Sequence, residues 1–439
     1  MKIAFVAPSV PGHLLPMTAL ARRLASRGHD VVFIADADAE PLVRAAHLPF
    51  ICYCEERYPA GASVKILQQL SRLQGREGLE FTMAALARRL EASIDDLPRV
   101  IRKHGIGAVV LDEALGGLGL VPMHMGIPYA HVSNAMHFDY SGKTPLCIFG
   151  WPHKTTPDAL ARNHEGLLQF AQINTQRTKV ARLYAEKIGL DIDWNAPFAT
   201  ISTLLWLSQT PRPFDFKESG LPPQFHYAGP FHDGSGRTET NFPWDRLTGE
   251  PLIYASMGTL QNGLEMVFST IAEAVGNRPG MQLVLSIGPT LDPAQIHSLP
   301  AGAIVVQHAP QLELLKRSTL CIMHAGLNTT LESLTQGVPM VAIPVTNDQP
   351  GVAARIAYTK TGGVLPLQEL TVSKLRSLID EVLSNPEYWR NAENLKQAIA
   401  KEGGLDKAAD LLEEAFSLTT SEAMGKVEQR HRIRDAVAP

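Results

Sequence analysis

Residues 320–323, Leu-Cys-Ile-Met, form a short apolar run that a turn of small residues joins to a helix. The run reads as a buried strand. His324-Ala325-Gly326 makes the turn, and residues 328–336 read as the helix. Gly337 suits the left-handed residue just past the helix end, and Pro339 marks the stop. A strand feeding a helix in this way calls for a parallel sheet with right-handed crossovers.

The same alternation runs along most of the 439 residues. In the first half, residues 2–7, 31–35, 108–111 and 129–133 read as strands. Residues 14–27 read as an amphipathic helix with Pro16 in its first turn and Gly28 past its end. Segments 64–73, 77–92, 98–103 and 166–187 read as further helices. In the second half, strands are expected at 252–255, 282–287, 303–306, 320–323 and 340–343, with helices between them. Residues 220–244 are rich in Gly and Pro and have no periodicity, so they read as a linker. The expected fold is α/β, with two Rossmann-like parallel-sheet domains facing a cleft. The expected layout is an N-terminal domain (1–219), the linker, a C-terminal domain (245–416) and a polar tail (417–439). A chain of this length is comfortable as two domains.

Composition removes several classes of function. A net charge of −4 gives no electrostatic footprint for nucleic acid. No stretch reaches the roughly 18 to 20 apolar residues of a membrane span, so stable membrane insertion is not expected. The first apolar run is broken at Pro8 and reads as a strand, not a signal peptide. Four cysteines do not make a disulfide framework, and Cys52 and Cys54 would point to opposite faces of a strand. A reducing cytoplasm is the expected compartment.

The turn at 324–329 carries the chemistry. A small-residue turn into a helix N-terminus presents free N–H groups and the positive end of the helix dipole to an anion. His324, Asn328 and Thr329 can add side-chain donors, and Glu332, one turn on, can accept from a diol. Anion plus diol describes a nucleoside diphosphate and its ribose. Structural readings stand beside these: Thr329-x-x-Glu332 also spells a capping box, and His324 also fits a core histidine.

His308-Ala309-Pro310-Gln311, the run from His324 to Glu332, Gly337-Val338-Pro339 and Asn347-Asp348-Gln349-Pro350-Gly351 together resemble the donor-binding box of UDP-sugar-dependent glycosyltransferases. The likeness is greatest to bacterial members, the macrolide-type and zeaxanthin glucosyltransferases. It extends over nearly the whole chain and is specific in the second half. It implies a GT-B fold, a UDP-sugar donor, a small hydrophobic acceptor and no metal or other cofactor. It implies that Ala309 meets the uracil edge, that Gln311 and Glu332 hold the ribose, and that His324, Gly326, Asn328 and Thr329 hold the phosphates. Asp348 and Gln349 would read sugar hydroxyls. Ser256 and Thr259, in the loop after a strand, would make a second phosphate contact, with Ser286 and Asn134 as further donor-site candidates. His308 departs from the plant enzymes, which have a Trp stacked on uracil; an imidazole offers less stacking area.

His13 is the candidate base. It follows the first strand, before a helix N-terminus that favours a neutral imidazole. Asp112 ends another parallel strand and could orient the ring from the same sheet edge. The resembled family has a His and an Asp at these places; the neighbouring Glu113 is the rival carboxylate. Two D-x-D strings, at Asp36/Asp38 and Asp191/Asp193, read as surface loops and not as metal–diphosphate sites. Gly116-Gly117-Leu118-Gly119 is not a dinucleotide fingerprint, which disfavours a nicotinamide enzyme.

Acceptor walls are expected from residues 55–80 (Tyr58, Ile66, Leu70) and from the aromatic-rich stretch 136–151. The latter offers His137, Phe138, Tyr140, Ile148, Phe149 and Trp151. The function expected is inverting transfer of a hexose, glucose foremost, to a carotenoid, polyketide or phenolic hydroxyl. A UDP-sugar epimerase would need several carboxylates around the sugar, and no such cluster is apparent. The third reading is a UDP-sugar-binding protein without catalysis, against which His13 and Asp112 argue.

Overall fold

The computed structural model of the protein describes residues 1–236, 240–258, 263–276 and 278–418. Its first sheet holds β1 (Lys2–Val6), β2 (Asp30–Ala35), β3 (Phe50–Cys52), β4 (Ile106–Asp112), β5 (Tyr129–Ser133), β6 (Trp206–Ser208) and β7 (Phe225–Tyr227). Its second holds β8 (Leu252–Ser256), β9 (Gln282–Ser286), β10 (Ile304–Val306), β11 (Ser318–Met323), β12 (Met340–Ala342) and β13 (Gly362–Val364). The strand orders are β3-β2-β1-β4-β5-β6-β7 and β10-β9-β8-β11-β12-β13, with parallel pairing throughout. Helices cover both faces, so central strands are apolar on both sides; Ile3, Ala4, Phe5 and Val6 are all fully buried.

Both sheets reverse direction at their first strand. β1 lies between β2 and β4, and β8 lies between β9 and β11. Connections diverge at such a switch point and leave a crevice at the carboxyl ends of the strands. Register then sets what faces that crevice. Val6 pairs with Leu111, so Asp112 reaches the level of the segment that leads from β1 to His13. Ser256 pairs with both Met323 and Ser286, which puts the loop starting at His324 beside those two serines.

Several elements differ from the sequence reading. The first helix is Pro11–Ser26, so Pro16 lies inside it and His13 in its first turn. Gly75–His104 is one helix that runs through Pro98. Proline removes one backbone bond there, but Leu97, Val100 and Ile101 are buried on either side and hold the segment in place. The helical segment at 166–187 belongs to two helices, Pro157–Ile173 and Thr175–Ile188, broken at Asn174. The linker begins later than composition suggests, because Phe225–Tyr227 pairs with β6 as the edge strand; three residues are too few to show periodicity.

The C-terminal boundary also shifts. Helix Gly404–Ala415 packs on the first domain, its Leu405, Ala408, Ala409 and Leu412 sharing a core with Leu20 and Leu24. Arg27 pairs with Asp406, Asp410 and Glu413 along that contact. Of the tail, only residues 417–418 are among those described.

A buried charge cluster ties the domains together. Asp215 of the first domain accepts from Arg355 Nε at 2.7 Å, from Tyr227 at 2.7 Å and from the Phe216 N–H at 2.8 Å, and pairs with His137 at 3.0 Å. Arg355 belongs to helix Gln349–Tyr358 of the second domain. Burial alone would raise the Asp215 carboxyl, but Arg355 and His137 hold it far below the usual carboxylate range. Such a depressed carboxyl contributes stability above its unfolded value, lost as pH falls towards the folded one. Arg355→Met leaves Asp215 buried without its main cation and is expected to destabilise the fold by about 3–5 kcal/mol. A denaturant titration checks this; an unchanged midpoint would refute the clasp.

Candidate active site

Two cavities open at the crevice and share a wall. The larger, about 1380 Å³, lies between the two sheets' carboxyl edges, and the smaller, about 510 Å³, lies in the first domain. Val10, His13, Ala135, Asn347 and Asp348 line both.

His13 Nδ1 lies 2.8 Å from Asp112 Oδ2. Asp112 is almost wholly buried and accepts two further bonds, from Asn134 Nδ2 at 2.7 Å and from the Ala114 N–H at 2.8 Å. A carboxylate at Nδ1 fixes the proton there and leaves the Nε2 lone pair unprotonated. Burial alone would push the His13 pKa down; the charge and hydrogen bond of Asp112, with Asp348 and Glu113 nearby, more than offset it, and the net shift is upward. This differs from the expectation that the helix N-terminus keeps the ring neutral, because full carboxylate charges outweigh a partial dipole charge. Glu113 turns away from the imidazole, to Ser133 Oγ and the Phe138 N–H.

The larger cavity gathers every donor-site residue singled out in the sequence that the structure describes. Ser256, Ser286, His308, Ala309, Gln311, His324, Gly326, Asn328, Thr329, Glu332, Asp348 and Gln349 all line it, as does Asn134. Thr259 lies outside the described residues.

The turn into helix Leu327–Gln336 is close-packed. Ala325 has φ 63°, and Gly326 is the N-cap. A Cβ on Gly326 would lie 2.4 Å from His324 Nε2, and one on Gly258 would lie 2.4 Å from His324 Cε1. The imidazole is thus clasped between two glycines. Its buried Nδ1 has no hydrogen-bond partner among the described residues, and burial lowers its pKa to about 4, so the ring is neutral. The capping-box reading fails: the helix begins two residues before Thr329, which carries no side-chain cap. Glu332 instead accepts from Gln311 Nε2 at 2.6 Å, and Gln311 in turn accepts from the Tyr254 hydroxyl at 3.0 Å.

Four residues have structural duties the sequence did not suggest. Asn328 donates its amide to the Gly12 carbonyl at 2.7 Å and accepts from Gln209 at 2.7 Å, across the domains. That carbonyl is open because Pro16, four residues on, has no N–H to fill it. The Asn328 amide is therefore committed to bracing the cleft, and the backbone N–H groups at the helix start are the donors left to meet a ligand. Asn134, expected at the sugar, has its amide on Asp112. Gln349 accepts from the Val345 and Thr346 N–H groups at 2.8 and 3.1 Å. Asp348 also bridges the cleft, accepting from the Met136 N–H at 2.9 Å.

Acceptor expectations divide. Phe138, Tyr140, Leu70 and Ile148 line the smaller cavity. Phe138 stacks on Tyr140 at 15° and on Phe170 at 28°, which makes a flat aromatic wall. His137 is buried on Asp215 and faces neither cavity. Phe149 stacks on Trp151 and faces a separate cavity near residues 344–354. Tyr58 lies under the Arg89 guanidinium, 3.6 Å from ring to Cζ. The first D-x-D is not a surface loop: Asp36 is buried in an ion pair with Arg89, and Asp38 accepts from the Gly61 and Ser63 N–H groups.

Gln209, Phe170 and Arg177 were missed in the sequence, although the last two lie on the inward stripes of amphipathic helices, which was a usable signal.

Two facing parallel-sheet domains with a small-residue turn into a helix at the switch point have the architecture of a GT-B glycosyltransferase. The chain belongs to the UDP-glucoronosyl and UDP-glucosyl transferase family, whose model matches residues 169–406. It is 26% identical over 422 residues to the zeaxanthin glucosyltransferase of Pantoea ananas, covering 94% of this chain and 95% of that one. It is 24% identical over 405 residues to the NDP-glycosyltransferase YjiC of Bacillus subtilis (strain 168), covering 92% and 94%. Among solved structures it shares its fold with the glycosyltransferase of kitacinnamycin, with a TM-score of 0.73, 22% identity and coverage of 94% and 98%. No helix among the described residues is long and apolar enough to cross a membrane.

If Asn134 serves Asp112, Asn134→Ala strips a donor from that carboxylate and moves the His13 titration to higher pH. Imidazole NMR reads this directly. An unmoved titration with weakened donor binding would return Asn134 to the sugar.

Proposed function

We propose that this chain is an inverting UDP-sugar glycosyltransferase that moves a hexose, glucose foremost, to a hydroxyl of a small hydrophobic acceptor. The observation that carries the reading is the position of His13: oriented by Asp112, it lines the wall common to a nucleotide-sized cavity and a largely apolar one. In this reading the larger cavity takes the donor and the smaller takes the acceptor. A carotenoid, polyketide or phenolic acceptor suits the flat aromatic wall, and the relative from Pantoea ananas is named for zeaxanthin.

The acceptor oxygen attacks the sugar C1 and gives its proton to His13 Nε2. The bond from C1 to the diphosphate oxygen breaks, and UDP leaves with the electron pair. Asp112 stabilises the imidazolium that forms. The sugar passes through an oxocarbenium-like state. Charge developing on the diphosphate meets the N–H groups at the start of helix Leu327–Gln336 and the neutral His324 ring. These donors take the part a divalent ion plays elsewhere, so the reaction is proposed to be metal-independent. Gln311 and Glu332, joined at the cavity wall, suit the ribose diol, and His308 and Ala309 suit the uracil. Displacement from the face opposite the diphosphate converts an α-linked donor into a β-glycoside.

His13→Ala is expected to lower kcat by about 10²–10⁴-fold while UDP binds as before. For the intact protein, kcat/KM should fall as pH drops through a value above 6.5, because the raised pKa leaves His13 protonated and unable to accept. Turnover of His13→Ala near that of the intact protein would overturn the assignment.

A further inference from the structure

The smaller cavity is apolar on most of its surface, yet one wall carries a guanidinium. Arg177 lies on helix Thr175–Ile188, and Asn174, Thr178 and Ala181 line the cavity with it at helical spacing. Among the described residues its one hydrogen bond goes from Nη1 to the Ala114 carbonyl at 3.3 Å. No carboxylate among the described residues lies within ion-pair distance of it. A guanidinium has five N–H donors in a planar fork, so most of this one's capacity is unused. One turn before it, the side-chain oxygen of Asn174 is buried without a hydrogen-bond partner among the described residues.

Asp348 and Glu113 also line the cavity, and neither forms an ion pair with Arg177; Glu113 acts on the guanidinium through its charge, from beyond ion-pair distance. Glu113 is engaged by Ser133 and the Phe138 N–H, and burial pushes its carboxyl up, towards the neutral form. Burial also lowers the Arg177 pKa, an effect that Tyr140 and the charge of Glu113 only partly offset. A neutral hydroxyl or carbonyl would fill one donor and leave the charge uncompensated. A carboxylate fits the fork with two parallel bonds and removes the charge.

We propose that Arg177 is a specificity-determining residue: it binds a carboxylate on the acceptor, which is a flat, conjugated hydroxy acid with its reacting hydroxyl directed to His13. The stacked rings of Phe138, Tyr140 and Phe170 supply the face for the conjugated body. The inference rests on reading this cavity as the acceptor's.

The test is binding, so that it does not depend on transfer. The probes are 6-hydroxy-2-naphthoic acid and its methyl ester, titrated into the full chain without donor and followed by naphthalene fluorescence. The acid should bind about 10- to 100-fold more tightly than the ester, the range expected of a charged hydrogen-bonded pair. Arg177→Met should erase that difference with the ester's affinity unchanged, and Arg177→Lys should restore part of it. Equal affinity for the two probes, no binding of either, or an acid preference that survives Arg177→Met overturns the inference. If Arg177→Met does not fold, the comparison of acid and ester on the intact protein decides alone. Acid binding through Arg177 with no hexose transfer to it from UDP-glucose would uphold this site and count against the transfer reading, so the two failures are separable.

Discussion

The carboxylate of Asp112 is the point on which the site depends. Its side chain is almost wholly out of water and accepts from His13, Asn134 and the Ala114 N–H. A buried charge persists only where its hydrogen bonds are made, and each of these bonds fixes a different element. His13 belongs to the helix after β1, Asn134 follows β5, and Ala114 lies in the turn after β4. Three neighbouring strands of one sheet edge are thereby locked to one oxygen pair, and the imidazole is held where the two cavities meet. The upward shift of the His13 pKa follows from the same arrangement, since Asp112 favours the charged ring and outweighs the cost of burying it.

The second domain is held to that edge by polar contacts. Asn328 reaches the Gly12 carbonyl, Asp348 takes the Met136 N–H, and Arg355 pairs with Asp215. The bond to Gly12 exists because Pro16 cannot donate to it, so a residue that weakens one helix by a hydrogen bond supplies an acceptor for the other domain. The helix that begins at Leu327 thus arrives at the cleft with its first residues lining the larger cavity and its Asn side chain committed to the interface. The turn of helix proposed to meet the donor is the one that braces the domains.

Much of this was legible in the chain. The alternation of short apolar runs with amphipathic helices requires two parallel sheets, and the small-residue turn before Leu327 singles out a segment that the structure places on the wall of the larger cavity. Less legible were features that depend on a partner distant in sequence. Asn134 reads as a polar residue free to meet a ligand, and only the packing of β4 beside β5 gives it to Asp112. His137 reads as one more aromatic in a binding stretch, but Asp215, far along the chain, claims it. Asp36 sits in an acidic string that looks solvated until Arg89 folds over it. Phe225–Tyr227 is too short for any periodic signal and is a strand only because β6 offers an unpaired edge. Charged or amide side chains were misplaced for a common reason: their partner lies tens of residues away, and spacing along the chain carries no trace of it.

The most direct test of the account is a metal-free incubation of the protein with UDP-glucose and a mixed panel of carotenoid, polyketide and phenolic alcohols, in the presence of chelator. Mass spectrometry and the anomeric NMR coupling of any product are the readouts. The account predicts a hexose mass gain on at least one acceptor class, undiminished by chelator and β-configured at C1. An α-configured product, a product that disappears with chelator, or isomerised UDP-sugar without transfer would contradict it.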